Sequence, residues 1–253
     1  MLSLKRSGMP RANYRILSTK PLPQDLVHTA AQHGIAIVAQ AFIDVQPVIT
    51  GDMRKRILEL SSAGGVLVFT SPNAVKFVTS VWMHSENANN LAARHRVYCL
   101  EGATRQAVEE RMRNVVIEGT GANSLELAKR IVKDGIADKV IFFSGNIRRP
   151  DLPDHLQENG IGLEEMVVYH TVETPAALNE DYDGILFFSP SSVRSFFTSN
   201  SLPAGTVCFA IGGTTAAAIG MFTNNRVITS PGPSVAKLVE TAIFYFDNIN
   251  CYE

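Results

Sequence analysis

The sequence predicts an α/β protein with two mainly parallel sheets, and three observations carry that prediction. Short runs rich in β-branched and aromatic residues alternate with helical stretches, the pattern of βαβ units. Ten such runs can be counted, more than one doubly wound sheet usually carries. The second half of the chain also repeats motifs of the first.

The elements follow in chain order. Tyr14–Ser18 and Ile35–Ala39 are aliphatic runs around a helix at Pro23–His33, which starts P-x-x-L and exits through Gly34-Ile35. Phe42–Pro47 is a short β-prone piece ending at a proline. A helix at Asp52–Ser61 leads to the unbroken apolar strand Gly65–Phe69, and Ser71 before Pro72 is the favoured order for starting a helix, here Pro72–Met83. Strand Arg96–Leu100, helix Thr104–Arg113, strand Val115–Ile117, helix Leu125–Lys133, strand Lys139–Phe143, helix Asp151–Asn159 and strand Leu163–Val168 continue the alternation. Tyr169–Pro175 is a second β-prone piece ending at a proline. Strand Gly184–Phe188, helix Pro190–Asn200 behind a second Ser-Pro pair, strand Val207–Ile211, helix Thr214–Phe222, strand Arg226–Ile228 and helix Ser234–Asp247 close the chain.

The repeat is specific. Phe69-Thr70-Ser71-Pro72-Asn73-Ala74-Val75-Lys76 returns as Phe188-Ser189-Pro190-Ser191-Ser192-Val193-Arg194, with the Ser-Pro pairs 118 residues apart. Leu100-Glu101-Gly102-Ala103-Thr104 matches Ile211-Gly212-Gly213-Thr214-Thr215, and Pro153–Gly160 shares the start and exit of Pro23–Gly34. The two halves are therefore versions of one α/β unit. The two β-prone pieces suit a paired crossing between domains, which would make one domain continuous and assemble the other from both ends. Periodicity alone leaves that arrangement open.

Composition narrows the function. Lys and Arg total 23 against 24 Asp and Glu, for a net charge of −1, and 45% of residues are apolar. That excludes a disordered chain and a globally basic nucleic-acid binder. No apolar run approaches the ~20 residues of a membrane-spanning helix. The first 13 residues carry Lys5, Arg6 and Arg11 without an apolar stretch, so no secretory leader is expected. Cys99, Cys208 and Cys251 are an odd count without C-x-x-C spacing, which predicts a reduced, cytoplasmic protein. The six histidines form no H-x-x-x-H pair, and no metal is expected.

The turns carry the chemistry. Thr19, Ser71, Thr104, Ser189, Thr214 and Thr215 all stand at strand-to-helix turns, where open α/β sheets place ligands. Helix starts leave N–H groups unpaired and carry partial positive charge, so these turns form a rim suited to carboxylates or phosphates. Ordinary capping accounts for any one of them, but recurrence in both halves suits a ligand held by two domains. Gly119-Thr120-Gly121 lacks the third glycine of a dinucleotide loop and reads as a turn, with Ser124 as the cap of the next helix. Arg148 and Arg149 follow Ser144-Gly145-Asn146, and Lys20, Arg105 and Arg194 lie at other turns; each either pairs with a ligand carboxylate or is a solvated charge. Tyr169, at the presumed crossing, can donate a proton without being ionised, or simply pack at a domain edge. Strand alternation turns His170 to the opposite face. Glu101 is the one acid of the rim and no Ser/His/Asp arrangement assembles, so hydrolysis by an activated nucleophile is poorly supported.

Thr19-Lys20-Pro21, Phe69-Thr70-Ser71-Pro72-Asn73-Ala74-Val75, Gly102-Ala103-Thr104, Val168-Tyr169-His170-Thr171, Phe187-Phe188-Ser189-Pro190-Ser191 and Ala210-Ile211-Gly212-Gly213-Thr214-Thr215-Ala216 together resemble the uroporphyrinogen-III synthase family, in order and spacing over about residues 14–245. The resemblance implies two similar parallel-sheet α/β domains (flavodoxin/Rossmann-like) joined by a two-stranded β-ladder, with the substrate in the cleft between them; two domains with a thin crossing in turn predict a hinge that moves on binding. The domains would be 1–41 plus 174–253 and 46–168, with the ladder at 42–45 and 169–173. It implies that linear hydroxymethylbilane loses water and closes to uroporphyrinogen III, its D-ring inverted through a spiro intermediate, with no metal or organic cofactor. Carried over residue by residue, the contacts are Thr19, Ser71, Thr104, Ser144, Gly145, Tyr169, Ser189, Ser191, Thr214 and Thr215, and the charges Lys20 and Arg148 complete the substrate-binding candidates. Tyr169 is the catalytic candidate, assisting hydroxide departure.

The partners expected are the linear tetrapyrrole and, transiently, the upstream bilane-forming enzyme. Nucleic acid and membrane are not expected, and the chain is expected to be a monomer. Lys20 stands where the family usually has arginine, Glu101 where glycine is common and Gly213 where proline is frequent. A non-catalytic tetrapyrrole- or anion-binding regulatory module is the alternative reading, for which Glu101 is the strongest feature. A two-domain solute-binding protein outside the cytoplasm is disfavoured by the missing leader.

Overall fold

The computed structural model describes residues 13–83, 95–112, 115–136 and 139–249. Lys5, Arg6 and Arg11, the predicted helix end at Arg113, and Cys251 lie outside the described residues.

The chain runs β1 (Tyr14–Ser18), α1 (Gln24–Gln32), β2 (Ile35–Ala39), β3 (Ile43–Pro47), α2 (Gly51–Ala63), β4 (Gly65–Phe69), α3 (Pro72–Met83), β5 (His95–Leu100), α4 (Ala103–Arg111), β6 (Val116–Gly121) and α5 (Ser124–Lys133). It continues through β7 (Val140–Gly145), α6 (Asp151–Glu158), β8 (Leu163–Glu173), β9 (Gly184–Phe187), α7 (Pro190–Ser199), β10 (Val207–Ala210), α8 (Gly213–Gly220), β11 (Val227–Thr229) and α9 (Val235–Asn248). Contacts divide it into two units, one of Met1–Asp44 and Val172–Glu253, the other of Val45–Thr171.

The first unit holds a five-stranded parallel sheet ordered β11-β10-β9-β1-β2. The other sheet has six strands, β3-β8-β7-β4-β5-β6, parallel from β8 to β6. Val48 N–H donates to Val168 O and Thr174 N–H to Phe42 O, a register that makes β3 and β8 antiparallel. Matching β4 to β9 also matches β5 to β10, β6 to β11, β7 to β1 and β8 to β2. The two sheets thus have one strand order entered at different points, a circular permutation. This explains why the Ser-Pro motifs recur in forward order while the α1 motif recurs at α6.

Each sheet is covered by helices on both faces, so its strands read as unbroken apolar runs rather than alternating ones. In β4 and β7, Leu67, Phe69, Ile141 and Phe143 face one core with α2, α3 and α4. Val66, Val68, Val140 and Phe142 face the other with α5 and α6. In the first unit Ile16, Leu186 and Phe209 pack with α9, whereas Leu17, Ile185, Phe187 and Cys208 pack with α7 and α8. Each large apolar side chain buried this way contributes roughly 1.5–3 kcal/mol. Trp82, the one tryptophan of the chain, is buried and donates its indole N–H to Ile57 O at 2.8 Å.

The structure corrects three local expectations. Gly119-Thr120-Gly121 is not a turn but the end of β6. A Cβ on Gly119 would stand 2.7 Å from Tyr98 Cε1, and one on Gly121 2.7 Å from Leu127 Cα, so both glycines serve close packing of the strand rather than a bend. The cap of α5 is Asn123, whose side chain accepts from Glu126 N–H at 3.0 Å, and Ser124 is the first helical residue. Tyr169–Pro175 is no separate strand, because β8 runs unbroken from Leu163 to Glu173. No described helix is long and apolar enough to cross a membrane.

Candidate functional site

In doubly wound sheets, ligands bind beyond the carboxyl ends of the strands at the point where strand order reverses. That point lies between β4 and β7 in the six-stranded sheet and between β1 and β9 in the five-stranded one. The first brings together Ser71 and Gly145, the second Thr19-Lys20 and Phe188-Ser189.

Around the first point is a concavity of about 310 Å3 whose lining includes Ser71, Gly145, Ile147, Arg148, Arg149 and Tyr169. Tyr169 reaches it because β8 carries one extra residue. Ser144 pairs with Val167 but Gly145 pairs with Tyr169, so Val168 is a bulge and Tyr169 joins Val168 on the α3 face. Tyr169 is 7% exposed, and its phenol donates to Ser71 Oγ at 2.9 Å. Ser71 Oγ also accepts from Asn73 N–H at 3.2 Å at the start of α3. Gly145 lies under the ring, where a Cβ would stand 2.7 Å from the phenol oxygen. Burial raises the Tyr169 pKa above the ordinary tyrosine value, and the Ser71 hydrogen bond offsets part of that rise. The phenol therefore keeps its proton at neutral pH.

Behind Arg148 stands Glu165, which sequence reasoning missed. Arg148 Nε donates to Oε1 at 2.6 Å and Nη2 to Oε2 at 2.7 Å. Ser144, fully buried, donates to the same Oε1 at 2.7 Å. Burial alone would raise the carboxyl pKa, but the bonds from Arg148 and Ser144 outweigh it and hold the group below its ordinary value. No spacing rule connects Ser144, Arg148 and Glu165; only the β7–β8 register does. Expected as a ligand contact, the Ser144 hydroxyl is committed to Glu165.

At the second point the hydroxyls are again turned inward. Thr19 is 1% exposed and donates to Leu186 O at 2.8 Å, so its side chain ties β1 to β9. Lys20 is half-buried, with Nζ 4.4 Å from the centre of the Phe188 ring and no ion-pair partner among the described residues. Burial lowers its pKa from the usual lysine value. Ser189 closes a capping box with Ser192, accepting from its N–H at 3.1 Å. The Ser191 hydroxyl accepts from Arg194 Nη2 at 3.3 Å, and Arg194 in turn pairs with Glu173 at 2.9 Å.

The remaining candidates divide sharply. Thr104 and Thr215, equivalent in the repeat, are both largely buried residues within the first turns of α4 and α8. Thr214 is exposed. Gly102 and Gly212 precede these two helices without any side-chain cap, so their first N–H groups depend on other acceptors. Arg105 pairs with Glu109, and Glu101 accepts from Thr120 at 3.4 Å. His170 is exposed. Among the described residues no three His, Cys, Asp or Glu side chains converge as metal ligands.

The family model for uroporphyrinogen-III synthase HemD matches residues 24–240. The uroporphyrinogen-III synthetase of Helicobacter pylori superposes with a TM-score of 0.66 at 16% identity, covering 91% of this chain and 99% of that one. A mutant uroporphyrinogen III synthase of Thermus thermophilus gives 0.62 at 14% identity, covering 94% and 99%. At these identities the structural likeness speaks for the fold, while the family match runs through both units and nearly the whole sequence. The chain accordingly belongs to the uroporphyrinogen-III synthase family, whose members are lyases of porphyrin synthesis.

Proposed function

We propose that this chain dehydrates and cyclises hydroxymethylbilane to uroporphyrinogen III, using Tyr169 as the proton donor to the departing hydroxyl. The observation that carries the mechanism is the protonated phenol of Tyr169 at the sheet's reversal point, fixed between Gly145 and Ser71. Proton transfer from the phenol lets the C–O bond break with release of water and leaves an electron-poor azafulvenium; a pyrrole carbon attacks it to form the new C–C bond, and the proton shed on rearomatisation returns to the Tyr169 phenolate. The pyrrole is already nucleophilic, so orientation supplies much of the rate and selects the ring-inverted product. The overall change releases one water and is redox-neutral.

Carboxylates on the acetate and propionate arms are matched by Lys20, Arg148 and the uncapped start of α8 near Thr214. Thr19, Ser144, Ser189 and Ser191 support these turns from within, and Thr104 and Thr215 stand in the first turns of α4 and α8 as further candidate contacts. In this reading the two domains are 1–41 with 174–253 and 46–168, joined through the ladder at 42–45 and 169–173. We place the protein in the cytoplasm, a compartment that suits the free buried thiols of Cys99 and Cys208, as a monomer that meets the upstream bilane-forming enzyme transiently.

The test adds purified protein to freshly generated hydroxymethylbilane, oxidises the products and separates type I from type III uroporphyrin. Type III in excess over a protein-free control is expected. Type I alone, from a folded sample, would refute the activity.

A further inference from the structure

We infer that Glu165 is a positioning residue for this reaction: it grips Arg148 by one edge of the guanidinium and leaves the other edge free for a substrate carboxylate. The inference rests on the functional reading above. A guanidinium has five N–H donors in a rigid planar fork, and a bidentate carboxylate uses two of them. Here Nε and Nη2 are taken by Glu165, at 2.6 and 2.7 Å. No acceptor among the described residues is paired with Nη1, so Nη1 and the second hydrogen of Nη2 form another fork. Arg148 lines the concavity that holds Tyr169, and Glu165 does not.

The clamp has depth because Glu165 is itself held. Ser144 Oγ, fully buried near the end of β7, donates to Oε1 at 2.7 Å. The Glu165 side chain is 23% exposed and that of Arg148 31%, too enclosed for both to swing freely in solvent. An arginine on a loop would otherwise lose rotamer freedom each time it met a ligand. Held in advance by Glu165, it forms the second fork without that cost. Glu165 thus acts on binding of the substrate and not on its chemistry.

The experiment compares steady-state type III formation by the full chain and its Glu165→Gln variant, with thermal melting of each. Glu165→Gln is expected to raise KM about tenfold with kcat within about twofold, the signature of lost binding common to ground and transition state. Arg148→Ala should raise KM by a similar factor, and adding it to Glu165→Gln should change little further, since both act through one contact. If Glu165→Gln does not fold, Ser144→Ala, which removes only one donor from the clamp, is expected to raise KM about threefold on the same logic. An unchanged KM in the folded variant, or a lower melting temperature with intact KM, would mean a merely structural ion pair and overturn the inference. Absence of type III product with the unmodified protein would instead overturn the functional reading, and this inference with it.

Discussion

Replacing Gly145 with alanine probes the geometry of Tyr169 without touching the phenol. The new Cβ would stand 2.6 Å from Cε2 and 2.7 Å from Oη, and closer still to Cζ, whereas ordinary contact begins at 3.4 Å. The ring must retreat by about 1 Å, and a displacement of that size from a productive pose can cost on the order of 100-fold in rate. Tyr169 is 7% exposed and its ring lies 6.0 Å from that of Phe77, so little room exists for the retreat. Overpacking of this kind costs roughly 1–3 kcal/mol of stability. The 2.9 Å bond to Ser71 would be lost with the movement. Type III formation and thermal melting should both fall in Gly145→Ala. Tyr169→Phe keeps the ring and removes only the donor, so its expected loss, about 100-fold or more in kcat, measures the proton transfer separately. The double variant should be little worse than the poorer single one, because both disable the same group. Wild-type turnover and melting in Gly145→Ala would refute the placement of the ring over Gly145 and the mechanism built on it.

Three further outcomes test the stability arguments. Hydrogen bonds from Arg56 and Lys139 hold the Glu164 carboxyl down at about 2 against burial, a pKa below its ordinary 4.5. A depressed carboxylate stabilises the fold above its unfolded pKa and loses that contribution as pH falls, so wild type should lose its advantage over Glu164→Gln between about pH 4.5 and 2; parallel acid-unfolding curves would contradict this. Burial, and then the bond to Asp134 at 3.0 Å, push the Tyr98 phenol up to about 12. Its raised value stabilises the fold below the unfolded pKa of 10, a contribution lost as pH rises through about 12, and the late part of the ultraviolet titration should lose one phenol in Tyr98→Phe. Ser189→Ala opens the capping box of α7 and should cost about 1 kcal/mol in chemical denaturation, with no change in midpoint counting against the cap.

Backbone class was legible because it depends on neighbours in sequence. Strands such as Gly65–Phe69 and Gly184–Phe187 are too uniformly apolar for anything but a sheet covered on both faces, and Ser-Pro pairs mark where α3 and α7 begin. The repeat of those motifs likewise announced two related sheets. Side-chain direction was not legible, because it depends on register between distant segments. The Val168 bulge turns Tyr169 toward Ser71, and a one-residue difference in pairing would send it to the opposite face. Glu165 meets Ser144 and Arg148 only through the same pairing. Thr19 stood at a predicted rim, yet it is buried and its hydroxyl donates across to Leu186 O of β9. The glycines at 119 and 121 resembled a turn because local sequence cannot distinguish a bend from a place where Tyr98 and Leu127 must come close. By itself the sequence determined which segments are strands and helices and that they form two kindred units. Only tertiary structure decided which hydroxyls, such as those of Thr19 and Ser144, are bonded within the fold, since a donor's direction follows from hydrogen-bond partners that lie far away along the chain.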